Sequence, residues 1–357
     1  MNSSNSPTHR LTNTRRWIIV ELLFLASMIN YFDRATISFA LPLISKDLNL
    51  GPEAKGVLLS AFFWSYALMQ IPLGTCADRF NLRWLYAGAL MLWSIAQGLT
   101  GFAGSLAVLI FFRILLGIGE AIYLVGGTKV VSLFFPMSER GFPCGLFDFG
   151  TRSGLVLAGL ILPWMLEHFG WRRTFAFVGF AALLWLVPWL CLYPKNLRRG
   201  QVSILAGGRV IPALAANGVL VGGWIADRLI RAGCDPTRTR KGIISVSFLT
   251  GLFLIPAAHA GSAEMTLALI MGGCLVGLST ANQLVILQSC APPEQVGLWV
   301  GIYNFVGNLA GILAPIATGF LIKITGSYTP AFVVAAVMIA AGQLSYWFIV
   351  GKLKATD

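Results

Sequence analysis

The sequence predicts an all-α polytopic membrane protein, and two observations carry that expectation. Of 357 residues, 57% are hydrophobic and only 11% are charged, where a soluble domain carries about 25% charged residues. Most of the chain falls into apolar runs of about 20 residues, the length that crosses the hydrocarbon core of a bilayer. Mean hydropathy is +0.76. These values exclude an ordinary soluble enzyme, a disordered chain and a disulfide-stapled secreted domain.

In chain order, the polar segment 1–16 carries Arg10, Arg15 and Arg16 and reads as a cytoplasmic tail. No small-residue cleavage site is evident, so the first span is expected to be retained. Spans follow at 17–38, 57–76, 84–103, 106–127, 142–167 and 173–193, a six-helix bundle over 17–193. The basic residues Lys195, Arg198 and Arg199 mark a divide. A short linker at 194–210 leads to a second bundle over 211–350. A doubtful segment at 204–226 overlaps the end of the linker, and spans follow near 242–260, 264–288, 297–322 and 329–350. A second cytoplasmic tail covers 351–357.

The two halves repeat. GTCADRFNLR at 74–83 is echoed by GWIADRLIR at 223–231, with Asp78 and Asp227 separated by 149 residues. Gly141-x-x-x-Gly145 and Gly150-x-x-x-Gly154 are echoed by Gly297-x-x-x-Gly301 and Gly307-x-x-x-Gly311 at offsets of 156 and 157. Glycines four apart let helices approach closely in a membrane, and recurrence at similar offsets, 149 to 157 residues, points to duplicated architecture. The repeat exposes a gap. Two helices precede Asp78, but only 33 residues (194–226) separate the first bundle from Asp227. Two crossings at roughly 20 residues each do not fit there. One crossing is missing, giving about 11 spans instead of 12.

Charge supports the same topology. With the amino terminus inside and both halves oriented alike, 18 Lys and Arg lie on the inner side and five on the outer. Threading 204–226 as an ordinary crossing gives 12 and 11, which erases the positive-inside bias. The net charge of +12 is therefore read as membrane orientation and not as a nucleic-acid footprint. The six cysteines form no C-x-x-C pair and read as small packing residues. The three histidines are isolated, and no Walker loop, G-x-S-x-G, H-E-x-x-H or metal-ligand set is present. No enzyme activity, cofactor or metal is expected.

With those residues in view, GTCADRFNLR and GWIADRLIR resemble the paired cytoplasmic signature of the major facilitator superfamily, and RILLGIGEA (113–121) resembles its helix-4 motif. INYFDRATIS (29–38), TKVVSLFFPMSERG (128–141) and APPEQVGLWVGIYNFVGNLAG (291–311) are similar to its anion:cation symporter branch, which includes hexuronate, aldonate and glucarate transporters. The resemblance implies a major facilitator fold of two pseudo-symmetric helical bundles. The chain departs from it between helices 6 and 8, where the helix 7 region is absent.

Ionisable groups inside spans are costly, about 2.5–3.5 kcal/mol each on insertion scales, and mark function by default. The first half holds Asp33, Arg34, Arg113, Glu120, Asp148 and Arg152, whereas the clear spans of the second half hold amides. This asymmetry places proton coupling in the first half. The family resemblance implies that Arg34 binds a substrate carboxylate, that Asp33 and Glu120 are protonation sites, and that Tyr31 and Tyr66 line the sugar-acid pocket, with Thr151 at a substrate-facing position. Arg113, two turns from Glu120, either positions it or pairs structurally. Asp148 and Arg152, one turn apart, read as a local salt bridge. Asn282, Asn304 and Asn308 are candidates for hydrogen-bonding substrate hydroxyls, or equally for joining helices. Gly74, Asp78, Arg79 and Arg83, and in the other half Gly223, Asp227 and Arg228, are expected to form a cytoplasmic gate.

The resulting expectation is a monomeric, proton-coupled symporter of a small organic anion in a bacterial inner membrane, with its amino terminus cytoplasmic. Its partners are a carboxylate substrate, protons and the lipid bilayer, with no nucleic acid. The alternative is a non-transporting truncated relative that acts as a membrane binding or regulatory protein.

Overall fold

The computed structural model describes residues 13–194, 218–253, 274–325 and 329–351, with a few scattered positions between them. Among these residues the regular structure is helical throughout. The helices are α1 (Asn13–Asp47), α2 (Pro52–Arg79), α3 (Leu82–Thr100), α4 (Leu106–Glu120), α5 (Ile122–Phe134), α6 (Gly141–Ala182), α7 (Leu186–Leu192), α8 (Gly218–Arg231) and α9 (Pro236–Gly251), then α10 (Thr280–Cys290), α11 (Val296–Thr325) and α12 (Thr329–Phe348). The linker 194–210, the absence of helix 7 and the first part of 204–226 lie outside the described residues. The remainder of that segment belongs to α8.

Local sequence sets the helix ends. Asn81 caps α3 by accepting from the Arg83 backbone N–H at 2.9 Å, and Asp235 caps α9 through the Arg238 N–H at 2.7 Å, just ahead of Pro236. Only Ala121 separates α4 from α5, so Leu106–Phe134 forms one apolar stretch long enough to span a membrane. Glu53–Arg79 and Gly141–Leu192 also qualify. The latter runs for 52 residues and is broken at Gly170, whose φ of 70° lies in the left-handed region where glycine carries no Cβ penalty. This break separates the sequence spans 142–167 and 173–193.

The described residues gather into two compact units. The first holds 13–135, 146–194 and 293–305; the second holds 136–145, 218–292 and 306–351. In the first unit, Ile37, Ile44, Leu58, Leu109, Trp171 and Phe175 form one apolar cluster. Tyr86, Trp185, Trp189 and Tyr193 stack in series, with neighbouring rings 4.6–5.6 Å apart. Large apolar side chains such as Leu160 (72% exposed) and Leu184 (73%) point outward. Outward apolar surface on this scale suits hydrocarbon, not water.

Two glycines of the sequence repeat seat α6 on α1. A Cβ on Gly150 would stand 2.3 Å from the Phe24 carbonyl oxygen, and one on Gly154 would stand 2.3 Å from that of Met28. Both obstacles are backbone. We therefore expect Gly150→Val to destabilise the protein by about 2–4 kcal/mol, because the helices must separate. Gly159→Ala, on the same helix with open space around it, should be neutral or gain up to about 1 kcal/mol from helix propensity. Thermal unfolding of both variants in detergent checks the contrast.

Candidate functional site

The first unit carries a buried ionic cluster built from α1, α2, α4 and the start of α11. Arg34 Nε donates to Glu120 Oε2 at 2.6 Å; Glu120 is fully buried and Arg34 is 16% exposed. The guanidinium is framed by three rings, with its Cζ 4.3 Å from the centroid of Tyr66 and 4.9 Å from those of Tyr31 and Phe62. Aromatic faces stabilise a cation where water is scarce. Tyr66 stacks on Phe62, and its hydroxyl accepts from Asn304 Nδ2 at 3.0 Å. Arg113 lies 5.1 Å from the Phe62 centroid, so one ring meets both guanidiniums. Of the two alternatives for Arg113, hydrogen bonding favours neither: Glu120 is held by Arg34, and Arg113 Nε and Nη1 make no hydrogen bond.

Asp33 is buried beside this cluster. Gln97 Nε2 donates to its backbone carbonyl at 3.2 Å, while neither carboxylate oxygen accepts a hydrogen bond. Asp148 departs from the sequence expectation. No ion pair joins it to Arg152 among the described residues; instead it accepts from Tyr123 Oη at 3.1 Å, and Tyr123 meets Tyr31 edge-on at 6.2 Å. Arg152 is exposed, and the Tyr123 hydroxyl supplies Asp148 with a donor that brings no second charge to bury. Thr151 is buried and donates to the Asp148 carbonyl at 2.7 Å.

The repeated aspartates each close a latch. In the first unit, Asp78 Oδ1 accepts from Lys129 Nζ at 2.6 Å and from the Gly297 N–H at 2.9 Å, while Oδ2 accepts from the Leu298 N–H at 2.8 Å. Lys129 also donates to the Pro293 carbonyl at 2.8 Å. Gly74 permits this approach, since a Cβ there would stand 2.5 Å from the Gly297 oxygen. In the second unit, Asp227 Oδ1 accepts from Arg240 Nη2 at 2.9 Å and from the Gly141 N–H at 3.2 Å, and Oδ2 accepts from the Phe142 N–H at 2.8 Å. A Cβ on Gly223 would stand 2.2 Å from the Gly141 oxygen. In both latches a carboxylate sits at the positive end of a helix, satisfying N–H groups that have no partner within it. Burial, with Arg240 alongside, holds the Arg140 guanidinium in the adjoining loop below its ordinary pKa.

The arginines expected in the gate stand elsewhere. Arg79 is exposed, and Arg228 is exposed over the Trp224 ring at 5.2 Å. Arg83 is buried and donates to the Leu190 carbonyl, which ties α3 to α7. Asn282 joins the second latch: its Oδ1 accepts from Arg240 Nη1 and its Nδ2 donates to the Gly222 carbonyl, both at 3.0 Å. Asn308 is partly buried on α11. Sequence reading passed over Lys129 and Arg240 as orientation charges. Their signal was position, Lys129 inside an apolar run and Arg240 within the first turns of α9.

Comparison with known proteins gives the family. The model of the Major Facilitator Superfamily matches twice, over residues 23–203 and 195–355. A probable galactarate/D-glucarate transporter of Bacillus subtilis (strain 168) is 30% identical, with 99% of this chain and 95% of that protein aligned. A probable galactarate/D-glucarate transporter of Escherichia coli (strain K12) is 26% identical over 99% of this chain and 97% of its own length. The solved structure of a proton:xylose symporter superposes with a TM-score of 0.75 at 15% identity, covering 97% of this chain and 98% of that one, and shows the shared fold. Repeated latches, a duplicated family match and full-length relatives converge: the chain belongs to the Major Facilitator Superfamily and is an integral membrane transporter of small molecules, not an enzyme.

Proposed function

We propose that the chain is a proton-coupled symporter of a sugar acid, with galactarate and D-glucarate as the first substrates to test. One observation carries the reading: a guanidinium caged by tyrosines is neutralised by a fully buried carboxylate, Arg34 with Glu120. A substrate carboxylate and Glu120 compete for that cation. Protonating Glu120 cancels its claim and frees Arg34 for a two-pronged, charge-assisted hydrogen bond to substrate. Deprotonation restores the internal pair and ejects the anion. Proton and anion therefore travel together. Tyr31, Tyr66 and Asn304 supply hydroxyl and amide partners for the sugar, Thr151 borders it, and Asp33 and Arg113 set the local charge. The names of the relatives support the substrate class.

The basic bias supports a cytoplasmic amino terminus, in a bacterial inner membrane, and the protein acts as a monomer. A shortened stretch between the two bundles rests on the 33 residues (194–226) that separate the first bundle from Asp227; the relatives' alignments run over 436 and 441 positions against 357 residues here, without placing the difference. It is compatible with transport because the ionic cluster lies outside that stretch.

Reconstitution in proteoliposomes tests the proposal. An inward proton gradient is expected to drive accumulation of D-glucarate. Glu120→Gln is expected to keep binding and counterflow exchange while losing gradient-driven accumulation. Accumulation that ignores the gradient, with Glu120→Gln indistinguishable from wild type, overturns it.

A further inference from the structure

Asp148 takes no part in the exchange between Arg34 and Glu120, yet it is an acid held at 9% exposure inside the first unit. Its two oxygens differ. Oδ1 accepts from Tyr123 Oη at 3.1 Å, while Oδ2 accepts no hydrogen bond among the described residues and is not sealed from the surface. Arg152, one turn further along α6, is exposed. Thr151 donates its hydroxyl to the Asp148 backbone carbonyl and not to the carboxyl group. A single neutral donor does not offset the burial of an acid, so packing α5 against α6 does not account for this side chain. Asp148 also shares its surroundings with the Arg34 cage. Tyr123 meets Tyr31 edge-on with ring centroids 6.2 Å apart, and the Tyr31 centroid lies 4.9 Å from Arg34 Cζ. Asp148 acts electrostatically on Tyr31, as Arg34 does, and on Tyr303 of α11. The residue after Tyr303 is Asn304, which donates to Tyr66. The same stretches of α1 and α11 therefore border both the guanidinium and the open carboxyl oxygen.

We infer that Asp148, positioned by Tyr123, accepts a substrate hydroxyl and makes the site select hydroxylated acids over unsubstituted acids of equal charge. The inference rests on Arg34 holding the substrate carboxylate, as proposed above. Tyr123 occupies Oδ1 and thereby fixes the carboxyl plane, which leaves Oδ2 as the acceptor for a ligand. An ammonium brings three donors and finds one open oxygen, whereas a hydroxyl brings one. A carbon chain with a carboxylate at one end and hydroxyls along it therefore answers both groups, the first at Arg34 and the second at Asp148. An acid without hydroxyls answers Arg34 alone and leaves the carboxyl oxygen stripped of water with nothing in its place. Tyr123 acts through Asp148 and is a positioning residue.

Equilibrium binding of D-glucarate and adipate to protein in lipid nanodiscs tests this. Both are six-carbon dicarboxylates, and only D-glucarate carries hydroxyls. Wild type is expected to prefer D-glucarate by on the order of a hundredfold. Asp148→Val should cut that preference by about tenfold or more, through weaker D-glucarate binding, with adipate close to its wild-type affinity. Tyr123→Phe keeps the carboxyl group but not its orientation, and should cut the preference in the same way by a smaller factor. Loss of a purely structural contact would weaken both acids together and keep their ratio. An unchanged ratio in Asp148→Val overturns the inference and leaves the sugar-acid reading standing. Failure of wild type to bind either acid overturns that reading and the inference with it. If Asp148→Val binds neither acid, Tyr123→Phe decides, and an unchanged ratio there overturns the inference.

Discussion

Arg34→Gln is expected to lower D-glucarate affinity by on the order of a hundredfold and to abolish measurable uptake. The guanidinium offers a planar pair of donors that a carboxylate accepts with both oxygens, and each charge-assisted hydrogen bond contributes about 1.5–3 kcal/mol. Lysine restores charge but not the fork, and it lacks the planar cation that the guanidinium places over the Tyr66 and Phe62 rings. Arg34→Lys should therefore recover only a small part of the loss. The substitution also strands Glu120. Breaking a buried pair by removing one partner costs about 3–5 kcal/mol, so lower stability alone is a competing explanation. The double variant Arg34→Gln/Glu120→Gln separates the two. It removes the stranded charge and should regain thermal stability, yet still fail to bind substrate. Binding restored along with stability would show that Arg34 serves the fold alone.

The fold was legible because hydrophobic length and glycine spacing are local signals. The Gly150 and Gly154 pair packs on α1, as its spacing of four suggested, and a Cβ on Gly74 or Gly223 would meet backbone oxygen. The repeated aspartates were legible for the same reason, since chance and topology do not duplicate an acid at one offset. The partners of those acids were not legible. Lys129 lies 51 residues from Asp78 and Arg240 lies 13 from Asp227, and no sequence period links them. The signature arginines misled because a positive charge at a helix end is useful to the membrane whether or not it meets an acid. Arg79 and Arg228 remain on the surface while buried cations take the carboxylates. Asp148 shows the complementary failure. One-turn spacing to Arg152 made a salt bridge look natural, but a buried tyrosine offered a donor without a second charge to desolvate. The family resemblance grouped Tyr31 and Tyr66 with Arg34, but Phe62 and the direct seating of the guanidinium on all three rings depend on α1 and α2 lying side by side.

The latch geometry makes Asp227 the more sensitive member of its ADR motif by a wide margin. Arg240 is 1% exposed and Asp227 is 2% exposed, and the carboxylate also serves two N–H groups at the start of α6. Asp227→Ala leaves a cation and two helix-end donors buried together, at a cost of about 3–5 kcal/mol. Arg228→Ala removes a solvated side chain and should cost about 0.5 kcal/mol or less. Cys144 reports on the difference from within the same unit. It is fully buried one turn beyond Gly141, and its sulfur accepts from Gln288 Nε2 at 3.3 Å. In a background where the other cysteines are serine, thiol labelling of Cys144 requires that the start of α6 come away. If each 1.4 kcal/mol lost from the latch raises the open population tenfold, Asp227→Ala should speed labelling by roughly a hundredfold or more. Arg228→Ala should leave the rate near wild type. The partner substitution Arg240→Met settles the origin of the effect. If the aspartate acts chiefly as the counter-charge of Arg240, Asp227→Ala in the Arg240→Met background adds little. If it acts chiefly as the acceptor for Gly141 and Phe142, the acceleration persists there. Equal rates for Asp227→Ala and Arg228→Ala in the parent background would show that the buried pair holds nothing shut.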